Sequence, residues 1–139
     1  KEGVKMPRPK ISALRSPYKA ALVGGATITV GAEGSNAINV AIQLLDQNLR
    51  DLAQRGTVGF YLSDDANGDS ITATAPSSGI AIGTDGLMRE YITDKAGRLT
   101  SESDGDIDIT LTEASTGTWY LVLEMPDGSL KVSGAITFV

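Results

Sequence analysis

The stretch NAINVAIQLL, residues 36–45, decides the fold. Ile38, Val40, Ile42 and Leu44 alternate with Asn39, Ala41 and Gln43. Successive side chains of an extended chain point to opposite faces, so this run predicts a strand with one apolar face and one polar face. The same two-residue period recurs on both sides. ATITV (26–30) precedes it. TVGFYLS (57–63) sets Val58, Phe60 and Leu62 together. GLMREYIT (86–93) follows, and DIDITLT (106–112) aligns Ile107, Ile109 and Leu111. TWYLVLEM (118–125) and LKVSGAITFV (130–139) close the chain. SITATA (70–75) predicts a short edge strand stopped by Pro76.

Clusters rich in Asp, Asn and Gly separate these runs, and such residues tolerate the backbone angles of tight turns. MPDGSL (125–130) is the clearest hairpin signal, with Asp127-Gly128 between two apolar strands. LLDQNLRDLAQR (44–55) reads in two ways. It is either strand–turn–strand or a helix carrying Leu45, Leu49 and Leu52 on one side. Seven or eight short strands at this spacing predict an all-β antiparallel sandwich or barrel. A chain of 139 residues fits one domain.

Composition narrows the chemistry. There is no cysteine, so neither disulfides nor thiolate–metal sites hold the fold. There is no histidine, which removes the commonest general base and the commonest zinc ligand. No apolar run approaches the about 20 residues a membrane helix needs.

Charge is unevenly placed. Residues 1–19, KEGVKMPRPKISALRSPYK, carry six positive charges and one negative; the other 120 residues carry six positive and sixteen negative. The first part is therefore +5 and the second −10. Pro7, Pro9 and Pro17 disfavour helix there, so an extended arm is expected, with ALVGGA (21–26) as a hinge. The predicted division is arm and hinge at 1–25 and sandwich at 26–139.

Three readings of the arm compete. It is a solvated tail, a nucleic-acid contact, or a segment that docks on an acidic protein surface. Nucleic acid is disfavoured because the acidic body repels phosphate. Docking is favoured: Pro-rich segments lose less entropy on ordering, and apolar residues punctuate the charges. The candidate partner-binding residues are Lys1, Lys5, Met6, Arg8, Lys10, Ile11, Leu14, Arg15, Tyr18 and Lys19.

Other candidate chemistry is thin. Serines have no histidine to activate them, and Lys95 and Lys131 flank turns or strand ends, so catalysis is not expected. Asp64, Asp65, Asn67 and Asp69, and separately Asp104, Asp106 and Asp108, space oxygens as Ca²⁺ ligands do. Neither run reaches the glutamate of an EF-hand loop, and turn shaping explains them equally. GTDGLM (83–88) precedes a strand rather than a helix, so it is no phosphate cradle. Trp119 and Phe60 alternate with aliphatics and are expected in the core; Tyr61 and Tyr91 are expected outward, where an aromatic suits an interface.

Residues 38–63, strand, polar turn, spacer and aromatic-bearing strand, resemble bacterial Ig-like modules of the invasin/intimin type. ITDKAGRLTS (92–101) resembles their Thr-Asp-x-x-Gly turn before a strand, through Thr93, Asp94 and Gly97. STGTWYLVL (115–123) resembles their late Gly-Thr-aromatic strand. The resemblance covers about residues 26–139 and implies an Ig-like antiparallel β-sandwich. The long segment 63–86 departs from it and is expected to add a hairpin. A basic arm before a small Ig-like domain also resembles the layout of tailed-phage capsid decoration (cement) proteins. That layout implies a non-enzymatic virion protein on the outer capsid surface, often trimeric. Its partner is the major capsid protein or neighbouring copies of itself; no cofactor, nucleic acid or membrane is implied. The alternatives are a tail- or surface-associated adhesion module using the 63–86 loops on a receptor or glycan, and a Ca²⁺-dependent binding module.

Overall fold

The alternation at 36–45 becomes the centre of a sheet in the computed structural model, which describes residues 20–139. Ten strands follow in order: β1 Val23–Val30, β2 Ala37–Asp46, β3 Thr57–Ser63, β4 Ile80–Ile82, β5 Leu87–Ile92, β6 Ala96–Thr100, β7 Asp106–Thr112, β8 Gly117–Glu124, β9 Leu130–Val132 and β10 Ile136–Phe138. One sheet runs β1-β2-β7-β4. The other runs β10-β8-β3-β6-β5, with β9 also on β8. All pairings are antiparallel. The chain is therefore an all-β, two-sheet antiparallel sandwich.

The core lies where the period-two pattern put it. Ile38, Val40, Ile42 and Leu44 of β2 meet Ile107, Ile109 and Leu111 of β7 across one sheet. Val58, Phe60 and Leu62 of β3 and Trp119, Leu121 and Leu123 of β8 face them from the other. Trp119 and Phe138 meet edge to face, with ring centroids 5.9 Å apart. Each fully buried large side chain contributes about 1.5–3 kcal/mol, and this layer carries most of the folding energy.

The hairpin at 125–130 forms as expected. Met125 accepts from Gly128 N–H and donates to the Ser129 carbonyl, while Gly128 sits at φ 88°. That is a type I turn closed by a left-handed glycine. The Thr93-Asp94 turn also forms, with Asp94 at φ 58°, and leads into β6.

Four readings of the chain are corrected. Residues 70–75 are not a strand: Thr72 N–H reaches across to the Leu62 carbonyl, Thr74 N–H bonds the Thr72 hydroxyl, and the edge strand comes later, as β4. Segment 63–86 adds no hairpin: it leaves the larger sheet after β3, lays β4 on β7 at the edge of the smaller sheet and returns to the larger sheet at β5. Gly24 and Gly25 are not a hinge but part of β1, at a register shift. A side chain on Gly24 would lie 2.5 Å from Gln47 Cα, so close backbone approach is what requires glycine there. Finally, 130–139 is two strands. At Ser133 the hydroxyl accepts Leu121 N–H, and this side-chain bond interrupts the ladder along β8.

Of the two readings at 44–55, the structure takes strand and turn. Asp46 accepts the N–H groups of Asn48 and Arg50 on its carboxylate, Leu49 turns at φ 62°, and Leu52 N–H returns to the Leu44 carbonyl. Leu52 is fully buried while Leu49 is 70% exposed, so the leucines share no helical stripe.

Candidate partner-binding surface

The ten arm residues singled out in the sequence lie outside the described residues. Within 20–139, the predicted chemistry is mostly absorbed by local structure. Asp64 accepts from the Thr72 hydroxyl at 2.6 Å, and Asp65 from Asn67 N–H at 2.8 Å. Asp104 accepts Asp106 N–H at 3.1 Å. Asp108 accepts from the Thr84 hydroxyl and, at 2.7 Å, from the Asn39 amide. Those bonds, the Thr84 one foremost, hold its carboxyl below the usual range. Asp106 is pushed up instead, first by burial and then by Asp85, Asp104 and Asp108. Among the described residues no group of three or more potential ligands is arranged to hold a metal ion. Lys95 donates its ammonium to the Ala73 carbonyl at 2.9 Å, and Lys131 is exposed on β9.

Glu113 is an acid the sequence reading passed over. It is only 6% exposed, at the end of β7, and accepts from Ser77 N–H, Ser115 N–H and the Ser115 hydroxyl. Those donors pull its pKa down to about 2. Its work is structural: it fastens the crossover to β7.

What the fold brings together lies on the outer face of the larger sheet. There an open groove of about 530 Å³ is lined by Gly59, Tyr61, Ile71, Tyr91, Arg98 and Glu124. Gly59 forms its floor because register sets it between Glu124 on β8 and Arg98 on β6. Glu124 leans over this gap: a Cβ on Gly59 would lie 3.3 Å from that of Glu124. Tyr61 is held by its hydroxyl, which donates to the Gly68 carbonyl at 2.5 Å. Burial, then Glu124 and Asp69, raise the Tyr61 pKa, so the hydroxyl remains a donor at neutral pH. Tyr91 stands at a bulge in β5 and is 62% exposed.

Arg98 lies over the Tyr91 ring, 6.0 Å from its centroid. Directly opposite Arg98 on β5 is Arg89. Like charges facing each other across a ladder are unfavourable. Neither arginine forms an ion pair among the described residues, where Arg55 instead pairs with Glu102 at 3.3 Å. A second depression of about 410 Å³, lined by Leu87, Arg89, Arg98 and Thr100, continues the groove. The outward tyrosines were legible in the alternation. The facing arginines were not, because their pairing depends on the register of β5 against β6.

No family model and no curated protein matches the chain. Among solved structures, the sandwich is similar to a cohesin module from a family 33 glycoside hydrolase of Clostridium perfringens ATCC13124. The similarity is at 15% identity and a TM-score of 0.40, over 84% of this chain and 94% of that module.

Proposed function

We propose that this chain is a non-enzymatic structural protein: a β-sandwich knob, of the Ig-like kind, attached to a larger protein assembly through residues 1–19. The observation that carries the reading is the charge division, +5 in residues 1–19 against −10 in the remainder. Opposite charge speeds encounter between the arm and an acidic assembly surface, and the acidic knob stays turned away from it. Val4, Met6, Ile11, Leu14 and Tyr18 supply apolar surface to bury once the arm is engaged. By the layout it resembles, the assembly is a tailed-phage capsid, the location its outer surface, and the partner the major capsid protein or neighbouring copies joined as trimers. Repetition over a lattice then makes a modest affinity per copy sufficient.

The experiment compares the full chain with a variant in which the six arm cations are changed to Gln. Binding to capsids lacking the protein is measured at low and high salt. The reading expects strong, salt-sensitive binding by the parent chain and a loss of about tenfold or more in the variant. Equal binding by the two chains sinks it.

A further inference from the structure

The attachment proposed through residues 1–19 assigns no role to Arg89, Arg98 and the groove beside them. We propose that the outer face of the larger sheet is a binding site for a carboxylated sugar, a uronate or a sialate unit. Arg98 and Arg89 hold the carboxylate, Tyr91 and Tyr61 cover the apolar face of the ring, and Glu124 accepts from its hydroxyls.

Charge comes first. Arg89 and Arg98 face each other across β5 and β6, both exposed and both without an ion pair among the described residues. An anion between them relieves the repulsion, and a carboxylate matches the planar guanidinium fork with two parallel hydrogen bonds. Shape comes second. The groove, at about 530 Å³, is the size of a small-ligand site, and Gly59 leaves its floor free of side chain. The tyrosine rings offer flat apolar surface to the C–H face of a sugar.

Other anionic ligands fit less well. An extended acidic peptide gains affinity by adding a strand to a sheet edge. Here the ligand meets a sheet face, where the backbone groups of β3 and β6 are already paired with their neighbours. A nucleic-acid strand, with a charge on every phosphate, is repelled by a body of −10. A uronate or sialate unit offers several hydroxyl donors beside its carboxylate, and these can use Glu124, which would repel a ligand made only of acceptors.

The test uses the full chain, labelled for amide NMR, with trigalacturonic acid, 3′-sialyllactose, neutral lactose and hexaglutamate as probes. At least one of the two carboxylated saccharides should shift the amides around Arg98, Tyr91 and Gly59. Lactose should bind about tenfold more weakly or less. R98Q and Y91A should each lower affinity for the acid sugar by about tenfold while leaving the melting temperature in place. Residues 1–19 also attract anions, so these two variants localise the effect. Unchanged affinity in R98Q, tighter binding of hexaglutamate than of either saccharide, or no binding of either saccharide overturns the proposal. So does concentration-dependent self-association through this face.

Discussion

Trp119 donates its indole N–H to the carbonyl of Thr74, 2.8 Å away. The ring belongs to the core and packs on Phe138, but its one polar atom reaches out to residues 64–79, which cross between the sheets. One side chain thus anchors the crossover to the strand that follows β7. W119F keeps much of the ring and removes the donor, leaving the Thr74 carbonyl without that partner. We expect a loss of about 1–3 kcal/mol in urea denaturation. Amide exchange should quicken around residues 70–79 more than in β2 or β7.

The two faces of the leucine-rich turn predict opposite outcomes. L52A removes a fully buried side chain and should cost about 2–5 kcal/mol. L49A removes one that is 70% exposed and should stay within about 0.5 kcal/mol of the parent. Similar losses in both would mean that the turn packs differently. F60A, at the centre of the larger sheet, should cost about 3–5 kcal/mol.

Glu113 sets a pH dependence. Its carboxyl falls from an ordinary 4.5 to about 2 in the fold, chiefly through Ser115 N–H and then Ser77. A depressed pKa stabilises the folded state fully above about pH 4.5, and the contribution is lost as pH falls to about 2. The denaturation midpoint should therefore drop between pH 5 and pH 2.5 by more in the parent than in E113Q. An identical drop in both would remove Glu113 from the account.

Gly97 permits the close approach of β5 and β6. A Cβ there would sit 2.0 Å from the Arg89 carbonyl oxygen, a backbone atom with little freedom to retreat. G97A should destabilise the protein by about 1–3 kcal/mol and displace β5. Amide shifts in G97A should therefore concentrate in β5 and β6, including Arg89 and Tyr91. Wild-type stability with an unshifted β5 would show that the strands are looser than their register implies.

Much of this molecule follows from short-range rules. The inward faces of β2, β3, β7 and β8 were legible because alternation is a local property: the extended backbone alone sends Ile38, Val40, Ile42 and Leu44 one way. The Asp127-Gly128 hairpin was legible for the same reason, since four or five residues determine it. Tyr61 and Tyr91 could likewise be assigned to the outer surface. Other features depended on distant partners. Residues 70–75 have the composition of a strand, but their backbone groups are claimed by Leu62 and Trp119, so no ladder forms. Gly24 and Gly25 look like a hinge until β1 is paired with β2 and Gln47 lies against Gly24. The facing of Arg89 and Arg98, and the dip at Gly59 beside them, exist only once three strands are in register. Sequence by itself determined which side chains turn inward, because that is settled by each strand's own geometry. Tertiary structure alone decided which outward side chains stand together, because that is settled by register between strands: a bulge in β5 sets Arg89 against Arg98, and pairing with the sequence-distant β3 and β8 adds Gly59 and Glu124.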